Sequence, residues 1–166
     1  MSGPSDWPLL QLTAPTDLAL REAYRAVYVN EYVRADVRNW HGERVRFNAP
    51  TFNHAFSEAS SYKTSLGVHD VPFSIARAER IRWIKLALAG SGADIDVIAQ
   101  MRTDNRGRAQ RRRTLIVVQK CYVVVLELQQ SPPDFSYDFI TAFPADDDYL
   151  RKIRAAGPTT ERRRQK

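Results

Sequence analysis

His54 is a reactive side chain in an unusual setting, within the stretch RFNAPTFNHAF at positions 46–56. It lies between Phe52 and Phe56 and shortly after Pro50, a residue that helix and strand interiors reject. Imidazole changes its charge near neutral pH, so it is a natural proton carrier. A histidine between two phenylalanines can equally be a packed core residue. The proline indicates a loop-to-helix junction, where functional side chains concentrate, and we favour a proton-transfer role.

A helical segment at residues 73–90, FSIARAERIRWIKLALAG, contributes candidate cations. Arg77 precedes Ile81 by four residues and is in line with an apolar stripe that continues through Ile84 and Leu88. A cation at the end of a buried helix face needs a counter-charge or a function. We therefore take Arg77, and Arg80 beside it, as candidate site residues.

Arginines are concentrated in the stretch RTDNRGRAQRRR, residues 102–113, where Asp104 is the single acid. Arginine binds phosphate through two parallel hydrogen bonds, whereas a charged hairpin loop is often only a solvated tip. We interpret this stretch as a grip for phosphate groups. The predicted substrate-binding residues are Lys63, Arg102, Arg106, Arg108, Arg111, Arg113 and Tyr122.

A hydroxyl is available from the strand-like stretch YDFITAF at residues 137–143. Alternation along a strand predicts Tyr137, Phe139, Thr141 and Phe143 on one face, with Thr141 as the small polar member. Threonine is also common in strands for purely structural reasons.

Together these residue types suit cleavage of RNA without a metal ion. The 2′-hydroxyl must lose a proton before it attacks the adjacent phosphorus, and a histidine can take that proton. Arginine, lysine and a threonine hydroxyl can stabilise the negative charge that builds on the phosphate oxygens. The three histidines lack metal-site spacing, the one cysteine excludes a Cys-based zinc site, and no phosphate-binding glycine loop is present. We expect neither a metal nor a cofactor.

The elements that must position these groups begin with two helices. The first starts at Thr16 or Asp17 and ends near residue 33, and the second covers 73–89, with Ser74 as its cap and Gly90 at its end. RVRF at 44–47 is a candidate short strand. Four further strands are predicted at 94–102, 113–120, 122–129 and 137–143, followed by a short C-terminal helix. The predicted fold is α+β, with N-terminal helices packed on a four-stranded antiparallel sheet.

Composition predicts one globular domain, because 166 residues with 43% hydrophobic content can bury a core. We place the domain at 16–156, between an irregular lead-in at 1–15 and a basic, disordered tail at 157–166. The net charge of +6 favours a polyanionic partner. We find no candidate membrane span and no signal-peptide pattern. We therefore expect a cytoplasmic protein, in the producing or the target cell, that needs a dedicated delivery system if exported.

The order FNHAFS, FSIARAERIRWI, basic hairpin, YVVVLEL and FITAF resembles the barnase–EndoU–colicin–RelE superfamily of ribonucleases over residues 45–154. The resemblance is to its phage and polymorphic-toxin branches, with short motifs at loose spacing. It implies an endoribonuclease toxin that cuts RNA, often tRNA, without a metal, and an acidic immunity or antitoxin partner. His54 matches the family's histidine, Arg77 and Arg80 its helical arginines, and Thr141 its last-strand hydroxyl. Phe143 stands where some relatives have tyrosine.

Two other function classes stay open. One is an RNA-binding module of this fold that does not cut RNA. The other is a phage or secretion-associated interaction domain whose basic surface meets an acidic partner. RNA cleavage in EDTA separates the ribonuclease from both, and RNA binding without cleavage favours the binding module.

Overall fold

The computed structural model describes residues 7–58, 72–129 and 135–165, which contain five α-helices and seven strands. The helices are α1 (Asp17–Tyr28), α2 (Thr51–Ala55), α3 (Ile75–Ala78), α4 (Ile81–Ala89) and α5 (Asp147–Ala155). The strands are β1 (Val37–Arg38), β2 (Arg44–Arg46), β3 (Ile95–Thr103), β4 (Ala109–Val117), β5 (Tyr122–Leu128), β6 (Tyr137–Pro144) and β7 (Thr159–Arg163). No helix within the described ranges is long and apolar enough to cross a bilayer.

All seven strands form one sheet in the order β1-β2-β6-β5-β4-β3-β7. The prediction of a four-stranded antiparallel sheet is therefore wrong. The neighbours β3, β4, β5 and β6 pair antiparallel, but β2 pairs with β6 in parallel and makes the sheet mixed. The four long strands β3 to β6 still follow one another with no α-helix between them, as in an α+β protein.

Strand β2 lies in the predicted candidate strand at 44–47, whereas β1 and β7 lack the apolar alternation by which strands are found in sequence. Strands β1 and β2 have only two and three residues. Strand β7 lies within residues 157–166, which were predicted to be a disordered tail, so this part of the tail is ordered instead. Its residues are mostly exposed, and it is held by backbone pairing to β3 and by polar contacts rather than by buried side chains.

The sheet curls so that its two edges meet. The loop between β1 and β2 contacts edge strand β7 at Glu161, whose carboxylate accepts a hydrogen bond from Trp40 Nε1 at 3.0 Å and lies 2.9 Å from His41 Nε2. Strands β1 and β7 are at opposite ends of the strand order. These contacts therefore require a half-barrel rather than a flat sheet.

One face of the sheet is covered by the N-terminal helices and an aromatic core. Tyr28 of α1 lies at its centre, where its ring contacts Phe52, Phe56 and Phe139. Its hydroxyl donates to the carbonyl of Asn48 at 2.8 Å. Phe52 and Phe56 are thus the core residues of their segment, and they press α2 against β6.

The segment predicted as one helix at 73–89 is divided into α3 and α4. The division lies at Glu79 and Arg80, where the carbonyl of Glu79 accepts from the amide of Leu10 at 2.7 Å and is thus bonded outside the helix. Arg80 leaves the helical conformation, with φ of −97° and ψ of 14°, and α4 starts with the amide of Trp83 bonded to the carbonyl of Arg80 at 2.9 Å. Within the first turn of α4, the Tyr32 hydroxyl donates to the carbonyl of Ile81 and accepts from the amide of Lys85 at 3.2 Å.

The opposite face of the sheet carries a smaller core under α5. Ile153 packs there against Ile98, Ile116 and Val123, while the irregular chain ahead of β7 returns to the edge of β3. Helix α5 covers only the end of this face near the β4–β5 turn. Within the described ranges, no helix covers the other half, toward the β3–β4 hairpin, and this half is called the open face below.

A bulge in β6 changes which side chains share that open face. The pairing of β5 with β6 shifts between Val125 and Leu126, which oppose Thr141 and Phe139. Because one extra residue reverses the alternation, Thr141 and Phe143 lie on the α5 face, whereas Phe139 lies in the helix-side core. The predicted aromatic row with Thr141 is therefore wrong.

A buried carboxylate ties α5 and the C-terminal segment to β3. Asp96 is 3% exposed, and its two oxygens accept from Arg154 and Arg164 at 2.7 Å each. Burial opposes its ionisation, but these hydrogen bonds and charges outweigh burial and lower the pKa of Asp96. The stabilisation is thus present above the unfolded pKa of about 4 and is lost as the pH falls through the folded value.

We expect Asp96→Asn to lower the free energy of unfolding at pH 7 by about 2 kcal/mol, because hydrogen bonds to charged groups contribute roughly 1.5–3 kcal/mol. Asp148→Asn removes an exposed ion pair with Arg151 and should cost under about 1 kcal/mol. Urea titrations at pH 7 and pH 3 measure both. Equal effects of the two variants at pH 7 would contradict the proposed role of Asp96.

Candidate active site

His54 lies on a short helix at the free edge of the sheet. Strand β6 pairs with β2 only at Tyr137 and Asp138, so its remaining edge is open, and α2 packs there. The helix buries Phe52 and Ala55 and leaves His54 exposed between them. His54 is therefore not a core histidine.

Arg77 and Thr141 converge on the backbone carbonyl next to His54. Arg77 Nη1 donates to the carbonyl oxygen of Ala55 at 3.2 Å, and Thr141 Oγ1 donates a long hydrogen bond to the same oxygen at 3.5 Å. The Arg77 guanidinium also lies over the ring of Phe143, 5.1 Å from its centroid. Three residues that are far apart in sequence thus occupy one place at the edge of β6.

The environment of His54 favours the neutral imidazole. The ring is partly desolvated by its neighbours although the residue reaches solvent, and this burial lowers the pKa of His54. The positive charges of Arg77, Arg112 and Arg102 lower that pKa further below its ordinary value of about 6.5. At neutral pH the ring is therefore free to accept a proton.

The β3–β4 hairpin divides its arginines between the two faces of the sheet. Strand β4 begins at Ala109, earlier than the predicted start at 113, so Arg111, Arg112 and Arg113 alternate along a strand. Arg112 lies opposite Gln100 in the register and on the face of Arg102 and Thr114, whereas Arg111 and Arg113 lie on the other face. The arginines predicted as a phosphate grip therefore do not all share one face, and their role in binding stays a prediction.

Arg112 is a site residue that the sequence interpretation did not select. It shares a face with Thr141, two strands away, because Thr114 pairs with Val125 and Val125 pairs with Thr141. Neighbouring strands are about 4.8 Å apart, so a long guanidinium side chain spans much of that separation. The alternation of Arg112 with Thr114, Ile116 and the rest of β4 is the signal that could have identified it.

The cations on this face have few counter-charges. Burial and the charge of Arg102 lower the pKa of Arg112. Glu127, which is opposite Arg112 in the register, raises that pKa to a lesser extent. Arg112 Nε is buried without a hydrogen-bond partner among the described residues. None of the salt bridges in that part of the chain includes Arg102 or Arg112. Such a guanidinium favours an anionic ligand.

Four of the predicted site residues do not lie on the face that carries Arg112 and Thr141. Arg80 lies over the Trp83 ring, 5.1 Å from its centroid, and donates to the carbonyl of Ala76 at 2.7 Å. Tyr122 is fully buried in the helix-side core and cannot touch a ligand there. Arg113 and Arg111 point to the opposite face, where Arg113 lines a cavity of about 190 Å³ under the β1–β2 loop.

Two further predicted residues, Arg106 and Arg108, are exposed at the hairpin tip. Asp104 Oδ1 accepts from both backbone amides, at 2.9 and 2.8 Å, and shapes the turn. Gly107 supplies its left-handed residue, with φ of 76°. Lys63 lies outside the described residues.

Within the described ranges, no group of three or more His, Cys, Asp or Glu side chains is arranged to hold a metal ion. No family model matches the chain, and comparisons with curated proteins and with solved structures give no match either. The resemblance to the ribonuclease superfamily therefore stays a prediction, and the site's own geometry must support any function.

Proposed function

We propose that the protein is an endoribonuclease that cleaves RNA by attack of a 2′-hydroxyl on the adjacent phosphate. The observation that carries this proposal is the position of His54 beside the Ala55 carbonyl that Arg77 and Thr141 share, where burial and the charges of Arg77, Arg112 and Arg102 lower the pKa of its imidazole. A proton acceptor near cations suits RNA cleavage, because the 2′-hydroxyl must lose a proton while negative charge builds on the phosphate.

In the proposed reaction His54 accepts the proton of the 2′-hydroxyl as that oxygen bonds to phosphorus. The bond from phosphorus to the 5′ oxygen then breaks, and the leaving oxygen takes up a proton, from His54 or through water. The products are a 2′,3′-cyclic phosphate and a 5′-hydroxyl. Arg112 and Arg77 face the pentavalent centre, and Thr141 holds either the Ala55 carbonyl or a phosphate oxygen.

Incubation of the protein with total tRNA in EDTA tests this proposal, with His54→Ala as the parallel sample. We expect fragments from the unsubstituted protein alone. Binding of the tRNA without any cleavage would instead support an RNA-binding module, and neither binding nor cleavage would contradict an RNA-directed function altogether.

The hairpin tip should contribute affinity and not chemistry. Arg106 and Arg108 are exposed at the end of a long hairpin, where they can reach phosphates that flank the cleaved one. Replacement of both by alanine should weaken RNA binding several-fold and reduce the salt slope of log K by about two, one for each lost contact. The rate at saturating RNA should persist, because only binding common to ground and transition states is lost.

Filter binding across a salt series measures this effect, with Arg38→Ala at the far edge of the sheet as a control that removes one positive charge away from the hairpin. Unchanged affinity and salt slope in the tip variant would show that Arg106 and Arg108 are solvated and do not contact RNA. A lost rate at saturating RNA would instead place one of them in the active site.

The proposal extends to partners and location. RNA, with tRNA as the first candidate, is the substrate, and an acidic immunity or antitoxin protein is the expected inhibitor of the net +6 chain. The place of action is the cytoplasm of the producing or the target cell. Co-purification of an acidic protein that blocks cleavage tests the partner.

A further inference from the structure

Helix α5 forms one wall of the open face. Leu150 and Ile153 turn toward the sheet. Asp147, Arg151 and Arg154 line a cavity with Val118 and Cys121 at the β4–β5 turn, and they therefore define the flank of α5 that points away from the hairpin.

The opposite flank of α5 carries Tyr149 and Lys152. At 100° per residue these two positions lie roughly opposite Asp147 and Arg154 on the helix circumference. This flank therefore faces the open half of the sheet, on which Thr141 and Arg112 lie. Both side chains reach solvent, and Tyr149 is 48% exposed.

Tyr149 is joined to the candidate site by a chain of direct contacts. Its ring meets Phe143 edge to face, with centroids 5.3 Å apart and planes at 89°. Phe143 in turn lies under the Arg77 guanidinium. The edge-to-face contact fixes the orientation of the Tyr149 ring and leaves ring surface exposed, three contacts away from the carbonyl that Arg77 and Thr141 share.

We propose that Tyr149 is a stacking platform for an unpaired nucleobase next to the cleaved phosphate, with Lys152 on the phosphate beyond it. This inference rests on the proposed function, since it places the base relative to the same phosphate. An exposed aromatic ring between two sets of cations matches the alternation of base and phosphate along a single strand. A duplex keeps its base faces stacked inside and cannot use such a platform.

Binding of a short 2′-O-methyl RNA strand, which cannot be cleaved by this route, tests the platform without catalysis. Fluorescence anisotropy should show that Tyr149→Ala weakens binding about tenfold. Tyr149→Phe should bind like the unsubstituted protein, because its ring can still stack. The salt slope should not change in Tyr149→Ala, since no phosphate contact is lost. Leu18→Ala, at an exposed apolar position on α1, is the control and should have no effect.

A duplex of the same sequence should bind with an affinity that Tyr149→Ala leaves unchanged. Equal affinity of Tyr149→Ala and the unsubstituted protein for the single strand would overturn the platform, even if the protein cleaves RNA. A tenfold loss for the single strand alone would support it even if the unsubstituted protein cleaves nothing, in which case the proposed reaction fails and the platform stands. No binding of the single strand by the unsubstituted protein would overturn the platform alone, because cleavage of tRNA in EDTA tests the proposed reaction separately.

Discussion

Replacement of His54 by alanine should lower kcat for RNA cleavage by about 10²–10⁴-fold, the usual contribution of a general acid–base group. RNA affinity should stay nearly constant, because Arg102, Arg112 and the hairpin tip are untouched. Single-turnover cleavage and filter binding measure the two quantities separately. Because His54 is exposed, the variant should fold normally.

His41→Ala is the matched control, since His41 contacts Glu161 where the sheet edges meet and not the proposed site. It should cleave at close to the normal rate. If both variants fold and His41→Ala loses as much rate as His54→Ala, the assignment of His54 as the general base is contradicted.

The second large effect is expected from Arg112→Gln. Removal of one donor that stabilises transition-state charge commonly lowers kcat by about 10²–10³-fold. The same change removes a positive charge near the imidazole and should raise the pKa of His54. The acid limb of kcat/KM, expected below pH 6.5 in the unsubstituted protein, should therefore move to higher pH.

Arg111→Gln is the control for this prediction, because Arg111 is the adjacent residue on the opposite face of β4. Its pH–rate profile and kcat should match those of the unsubstituted protein. NMR titration of the His54 ring gives the pKa directly. An unchanged imidazole pKa in Arg112→Gln would show that Arg112 does not face His54.

Local sequence signals predicted the starts of α1 and α3 and the end of α4. The Thr16 side chain accepts from the Ala19 amide at 3.1 Å, and the Ser74 side chain from the Arg77 amide at 3.2 Å. Gly90 ends α4 with φ of 68°. These features depend on neighbours in sequence, so a single chain is enough to find them.

Strand β7 and the edges of the sheet could not be predicted in the same way. Glu161 has partners near residue 40, and Asp96 is bonded to Arg164. The tail is ordered by contacts with residues far away in sequence, and its own composition is that of a solvated segment.

The site was predicted in part. The grouping of His54, Arg77 and Thr141 followed from motif order, and the structure places the Arg77 and Thr141 side chains on the carbonyl oxygen of Ala55, the residue after His54. The catalytic roles of the three residues stay predictions. The faces of β6 were misjudged, because one extra residue near Ile140 reverses the alternation and has no local signal. The start of β4 was predicted too late, so residues 109–112 were taken as a loop and Arg112 was not selected.

The central claim is that a 2′-hydroxyl attacks phosphorus with His54 as its base. The most direct measurement is the analysis of product ends after cleavage of a defined RNA in EDTA, beside a copy with 2′-deoxy nucleotides. The account predicts 2′,3′-cyclic phosphate and 5′-hydroxyl ends from the RNA and no cleavage of the deoxy copy. Cleavage of the deoxy copy, or 5′-phosphate ends, would contradict it.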